Sequence, residues 1–258
     1  MTGKPAYAFH DADLTAVQLD YLQQCLDDNT KLQLRRAGLA PGWRCLEIGA
    51  GSGSIAGFLH RSTPDGYVLA TDLRPERIQA SCDTLRHDIT TDPIPDAGSW
   101  SLIHARLVEL HLPQRREIVA NLAAALALGG VLLLESFDCR TPPALLRSPD
   151  GTDPTVWNRA IAAILLYLQT SGADLDWAQN CPTAMLDCGL SDVVAEMFNR
   201  TWAGGTPGTG LHAVNLAQLN GKLDSLTTDD VAEFETIAVH PQTLAWFHPM
   251  VSSRGVRR

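Results

Sequence analysis

Apolar positions in the first half of the chain switch repeatedly between helical and strand-like spacing. Leu14, Val17, Tyr21 and Cys25 share one face at helical spacing and predict a leading helix with Asp13 as its N-cap. A Pro41-Gly42 turn precedes Arg44 to Ile48, read as a short buried strand. The glycine run Gly49 to Gly53 ends it, and Ile55, Phe58 and Leu59 predict a helix beyond. The turn Pro64-Asp65-Gly66 leads to a second strand, Tyr67 to Thr71, closed by Asp72. Pro75 opens a predicted helix with the stripe Ile78, Cys82 and Leu85, and a short third strand is expected around His87-Asp88-Ile89. After the loop Thr91 to Ser99 come a fourth strand, Trp100 to Arg106, and a helix from near Pro113 carrying Ile118, Leu122, Ala125 and Leu126. That helix is expected to stop at Gly129-Gly130, before the apolar strand Val131 to Phe137. Strands alternating with helices predict an α/β fold: a doubly wound, mostly parallel sheet covered on both faces.

The second half has a different rhythm. Asp153-Pro154 reads as a helix start before Trp157, Ile161, Ile164, Leu165 and Leu168. Val193 to Phe198 and Leu244 to Val251 read as strands, and Gly204 to Gly210, with Pro207 inside it, as a mobile or ligand-closing loop. The expected organisation is one domain over 1–258: an N-terminal helical cap (1–40), a core (41–139), a helical lid (140–190) and the far edge of the sheet (191–258).

Composition narrows the function. At 258 residues and 45% hydrophobic, the chain can bury one large core, and 19% charged residues exclude a disordered chain. The formal net charge of −9 disfavours nucleic acid as a partner, since the one basic cluster is the tail Arg254 to Arg258. No run approaches the ~20 apolar residues that span a bilayer, so no membrane partner is expected. The segment Met1 to Asp13, with Lys4 and no apolar core, does not read as a secretory signal. Six cysteines without a CxxC pair read as reduced thiols of a cytoplasmic protein.

The chemistry concentrates at Glu47-Ile48-Gly49-Ala50-Gly51-Ser52-Gly53, where the first strand turns into the first helix. Glycines there allow a ligand to approach the backbone and permit unusual dihedral angles. The spacing is G-x-G-x-G, with Ser54 where a dinucleotide fingerprint has its last glycine or alanine. Glu47, two residues before the first glycine, would repel a pyrophosphate but suit a cationic amino-acid group. Asp72, closing the second strand, can accept both hydroxyls of a ribose.

With these residues the chain resembles the S-adenosylmethionine (SAM)-dependent methyltransferases of the doubly wound, seven-stranded fold. Leu46 to Ser54 is similar to the family's first motif and Asp72 to its ribose-binding acid. The resemblance makes Asp88 and Ile89 the adenine contacts, and it continues through Ala105-Arg106-Leu107-Val108-Glu109-Leu110-His111-Leu112-Pro113 to Gly129-Gly130-Val131-Leu132-Leu133-Leu134-Glu135. It covers roughly residues 40–137 and is similar to the branch that methylates quinones and natural products. Ala127-Leu128 departs from the basic residue and proline usual there. The implied cofactor set is Glu47, Gly49, Ala50, Gly51, Ser52, Gly53, Asp72, Leu73, Asp88, Ile89 and Ala105, binding SAM and, as product, S-adenosylhomocysteine.

His111, after the fourth strand, is the candidate general base, because an imidazole titrates where a phenol, hydroxyl or amine needs help losing its proton. Its alternative is a histidine that packs against the cofactor; His104, inside a strand, reads as structural. Trp157 and Trp202 are candidates to line a pocket for a flat small molecule, with Tyr167, Trp177, Trp246 and Phe247 as further aromatics. His240 and His248 have no metal-ligand spacing with an acid or cysteine, so no metal is expected. A homodimer is compatible with the sequence. Rival readings are a SAM-binding enzyme of this fold that isomerises or cyclises without methylating, a nicotinamide-dependent oxidoreductase, and a partner-binding subunit with a vestigial site.

Overall fold

The computed structural model describes residues 12–219 and 221–258. In chain order the elements are α1 (Ala12–Arg36), β1 (Arg44–Ile48), α2 (Ser54–Ser62), β2 (Tyr67–Asp72), β3 (Asp83–Arg86), β4 (Trp100–Arg106), α3 (Arg115–Ala125) and β5 (Leu126–Phe137). They continue with β6 (Leu145–Arg147), α4 (Thr155–Thr170), α5 (Trp177–Asp187), β7 (Ser191–Phe198), β8 (Thr201–Ala203), α6 (Pro207–Gln218), α7 (Thr228–Val239), β9 (Leu244–Trp246) and β10 (Met250–Val256). Because α1 already includes Asp13, its N-cap lies outside the described residues.

The chain divides into two compact units. The larger comprises 27–137, 176–198 and 250–258; the smaller comprises, among the described residues, 12–26, 138–175, 199–219 and 221–249. The larger unit holds a seven-stranded sheet in the order β3-β2-β1-β4-β5-β10-β7. Pairs among β1 to β5 are parallel, and β10 runs antiparallel to both β5 and β7. The doubly wound, mostly parallel fold expected from the sequence is therefore present. Both sheet faces are covered, which is why the central strands read as continuous apolar runs. Leu46, Ile103, Leu132 and Leu134 pack with Ile118 and Leu122 of α3 and Trp177 and Cys181 of α5. Cys45, Leu102, Val131 and Leu133 pack on the opposite face with Leu34 of α1 and Ile55 and Leu59 of α2.

In this unit the chain departs from expectation at two places. The helix foreseen behind Pro75 is a single 3-10 turn, Pro75–Arg77, and β3 is Asp83–Arg86 rather than His87 to Ile89. Gln79 N donates to Ser52 O at 2.8 Å, so the segment is held along the glycine loop and leaves the helical path. All four residues of β3 are exposed, so no apolar pattern marks this edge strand. The second departure is at the end of α3, where β5 already begins at Leu126, five residues early. Leu126 pairs with Trp100, and the register then shifts so that Val131 pairs with Leu102. Gly129, at φ +81°, and Gly130 form the irregularity; a Cβ on Gly130 would press on Trp100 O at 2.6 Å.

The smaller unit packs α4, α6 and α7 around Trp157, Ile161, Ile164, Leu216, Phe234 and Ile237, with a three-stranded sheet in the order β6-β9-β8. α4 starts one residue later than foreseen, with Pro154 at its N-cap, and Asp153 Oδ1 accepts from Thr155 N and Oγ1 just ahead of it. The expected strand Leu244 to Val251 is two strands in two sheets, separated by Phe247-His248-Pro249. The expected ligand-closing loop at Gly204 to Gly210 is largely the first turn of α6, with Pro207 in its first turn. Its glycines serve close packing: a Cβ on Gly208 would overlap the indole of Trp202, and one on Gly210 would stand 2.9 Å from the ring of Tyr21.

Candidate functional site

The glycine loop lies at the carboxyl end of β1, between the ends of β2 and β4. Gly49, Gly51 and Gly53 take φ of +65°, +58° and +90°, a region that glycine enters without steric cost. Ala50 N donates to Thr71 O at 2.9 Å and Gly53 N to Ala50 O at 2.9 Å, which folds the loop against the end of β2. Two glycines are required by the protein itself. A Cβ on Gly49 would meet Val108 Cγ2 at 2.5 Å, and one on Gly53 would meet Ile78 Cγ2 at 2.8 Å.

Asp72 faces this loop. Its Oδ2 accepts from Gly51 N at 3.0 Å and its Oδ1 from Arg74 N at 2.9 Å. Leu73, next along the chain, is half exposed. Asp88 Oδ1 accepts from Thr90 N at 3.0 Å and Thr90 Oγ1 at 2.6 Å, fixing the turn after His87. Ile89 is partly buried against the core of the sheet.

Four residues of the expected set sit differently. Glu47 is buried, and its Oε2 lies 2.7 Å from His104 Nδ1. Ala105 is fully buried between Ile48 and Leu134 of the flanking strands, so its side chain belongs to the core. Trp157 is fully buried in the smaller unit, stacked at 4.9 Å on Phe234, with Nε1 donating to Pro143 O. Trp202 is nearly buried in that unit, under the guanidinium of Arg200 at 4.0 Å. His111 ends a 3-10 turn, Glu109–His111, beyond β4. Burial, then the charge of Arg115, lowers its pKa to about 4, so the imidazole is neutral at pH 7.

The structure adds a polar network that no motif announced. His104 lies between Glu47 and Glu135, with Nε2 at 3.3 Å from Glu135 Oε2. Burial opposes charge on His104, but the two carboxylates outweigh it and raise the pKa to about 9. Glu135 accepts from Thr30 Oγ1 and Ser252 Oγ, both at 2.5 Å. Arg106 donates to Thr30 Oγ1 at 2.9 Å and to Asp27 Oδ1 at 3.1 Å, and Asp27 also accepts from Ser54 Oγ at the start of α2. A buried polar face on α1, with Asp27, Asn29, Thr30 and Gln33, is the signal a search for apolar stripes passes over.

The arrangement is a backbone cradle with an acid across from it and opposite charges at the foot of α2. It fits a nucleoside joined to a zwitterionic amino acid. A methyltransferase-domain family model matches residues 19–187. Two methyltransferases of Strobilurus tenacellus, str2 and str3, are 36% and 33% identical over 98 residues, 37% of this chain. The aligned region spans 36% and 35% of those relatives, about a third of their length. Phosphoethanolamine N-methyltransferase 2 of Haemonchus contortus, solved with phosphomonomethylethanolamine and S-adenosylhomocysteine, superposes with a TM-score of 0.54 at 14% identity. That match covers 90% of this chain and 53% of that one, and shows likeness of fold. The chain belongs to the SAM-dependent methyltransferases, enzymes whose cofactor is S-adenosyl-L-methionine.

Proposed function

We propose that this enzyme transfers a methyl group to oxygen of an apolar or aromatic small molecule of the kind found among natural products. The facing of Asp72 onto the glycine loop, with Gly51 N at 3.0 Å, carries the reading. In that reading Gly49, Ala50, Gly51, Ser52 and Gly53 seat the methionine and ribose portions, Asp72 and Leu73 the ribose, and Asp88 with Ile89 the adenine. Glu47 acts from behind through His104, while Asp27 and Arg106 supply opposite charges for the ammonium and carboxylate of the amino-acid end. SAM, when bound, supplies an electrophilic methyl on a sulfonium, which an oxygen displaces in line.

Holding the reactants in that line is most of what the protein must do, and preorganised loops supply such positioning. His111, neutral at pH 7, is the base to which this reading assigns the proton released by the acceptor, and its pKa of about 4 makes it a weaker base than a free imidazole. The similarity to the Strobilurus methyltransferases supports a place in secondary metabolism. Trp202, nearly buried yet with Nε1 unpaired, supports acceptor recognition in the smaller unit, whereas Trp157 is a core residue of that unit, packed on Phe234 and His212.

Calorimetric titration with S-adenosylhomocysteine tests the cofactor half of this reading. The wild type should bind, and Asp72→Ala should bind weaker by about 2 kcal/mol, roughly thirtyfold, for the loss of charge-assisted hydrogen bonds. Equal affinity in the two proteins would remove Asp72 from the ribose.

A further inference from the structure

Polar atoms without partners collect along one stripe of the smaller unit. His212 Nε2, Trp202 Nε1, Gln18 Oε1 and both amide atoms of Gln218 lack any hydrogen-bond partner. Their residues are only 3%, 9%, 3% and 8% exposed, so solvent does not satisfy them. A stranded buried polar group is a net cost to folding, and native structures seldom keep several together without a use.

Helix α6 gathers all four. Gly208, His212, Asn215 and Gln218 follow at spacings of four, three and three and so share a face. Trp202 lies over Gly208, where a Cβ would overlap its indole. Gln18 of α1 donates through Nε2 to Asn215 Oδ1 at 2.7 Å, which leaves its carbonyl oxygen over. The imidazole of His212 is flanked by aromatic rings, Trp157 edge-on at 5.7 Å and Phe247 tilted at 5.4 Å between centroids.

The inventory defines what would satisfy it. Trp202 offers a donor, Gln18 an acceptor, Gln218 both, and His212 either according to tautomer. None of the four carries a fixed charge, and burial together with His248 keeps the His212 imidazole neutral. Asp138, the buried carboxylate of this unit among the described residues, is engaged by Arg140 through its backbone N and its guanidinium. A charged ligand would be desolvated here with little in return, since Asp138 is already paired and the one guanidinium described beside the stripe, that of Arg200, is exposed and lies over the ring of Trp202.

We propose that this stripe is a recognition site for an uncharged, flat molecule bearing hydroxyl or carbonyl oxygens, a phenol or quinol, with its oxygen on His212 Nε2 and its further polar groups on Gln218, Gln18 and Trp202. The proposal rests on the methyltransferase reading only in taking this molecule to be the methyl acceptor; the site itself stands on the residues above.

The test uses 2-naphthol and 2-naphthyl phosphate as probes, titrated calorimetrically into the whole protein with and without S-adenosylhomocysteine. The wild type should bind 2-naphthol, and should bind the phosphate about tenfold more weakly or worse, the loss expected for one uncompensated polar group. His212→Phe and Gln218→Leu should each weaken 2-naphthol by about tenfold or more while S-adenosylhomocysteine binds unchanged. Since each replaces a stranded polar group by an apolar one, neither should lower the melting temperature of the ligand-free protein. The proposal is overturned if 2-naphthol does not bind, if the phosphate binds as well, if both variants bind 2-naphthol like the wild type, or if both substitutions lower the melting temperature. Failure of S-adenosylhomocysteine alone to bind would strike the cofactor reading and leave the 2-naphthol result to decide this one.

Discussion

Glu109 stands wholly inside the larger unit with no side chain hydrogen-bonded to either carboxyl oxygen. Burial raises its pKa from 4.5 to about 7, against the smaller lowering effects of its own backbone and of His104. The native state therefore holds this proton more tightly than the unfolded chain. That contribution is complete below pH 4.5, falls away as the pH rises through 7 and amounts to about 3 kcal/mol. His104 adds a loss of the same sign at higher pH, between its ordinary 6.5 and about 9. Glu109→Gln removes the first titration, so at pH 8 the variant should be more stable than the wild type and at pH 4.5 no more so. Urea unfolding at the two pH values checks this, and parallel shifts at both would refute it. His111 sits on the same turn and meets the opposite demand. His111→Ala should lower turnover about a hundredfold with S-adenosylhomocysteine affinity unchanged if the imidazole accepts a proton. A variant that loses cofactor affinity instead would make His111 a packing residue.

At the scale of elements, what the sequence disclosed depended on burial. β1, β2 and β4 occupy nearly the predicted residues because their runs are buried on both faces, and apolar continuity then marks a strand. β3 has four exposed residues, and only the Gln79 to Ser52 bond reveals why no helix precedes it. The cradle was legible because glycine at positive φ leaves a spacing signature; Asp27, Thr30 and Arg106 were not, since their meaning depends on which helix face is buried. On α1 the buried residues mix Cys25, Leu26 and Leu34 with polar Asp27, Asn29, Thr30 and Gln33, and Val17, read as part of an apolar stripe, is 41% exposed. Glycines also misled: Gly204 to Gly210 looks like a loop, although Gly208 and Gly210 sit in a helix that packs tightly on two aromatic rings. Gly208→Ala should therefore destabilise the protein by about 1–3 kcal/mol through overpacking against Trp202, despite alanine's better helix propensity. Thermal denaturation measures the change, and Trp202→Leu in the same background should recover part of it. Stabilisation by Gly208→Ala would mean that the close contact is not needed.

On the scale of the whole molecule, every residue assigned to the cofactor lies in the larger unit, while the stranded polar stripe lies in the smaller. A ligand that binds only the native state stabilises it by an amount set by its concentration relative to its dissociation constant, about 2.7 kcal/mol at a hundredfold excess. For a chain of this size that corresponds to a rise in melting temperature of about 5–10 °C. S-adenosylhomocysteine should produce such a rise, and where calorimetry resolves two transitions it should act on the one that includes the sheet. Asp72→Ala should melt near the wild type without ligand but need a proportionately higher concentration for the same rise, because the substitution alters the dissociation constant and not the sheet. Added salt should leave the effect largely intact: the net charge of −9 acts through solvent and is screened, whereas backbone donors and a buried network hold their ligand at contact distance. A rise that vanished at 0.5 M salt would point instead to loose electrostatic association with the surface, and with it the cradle of Gly49 to Gly53 would lose its role.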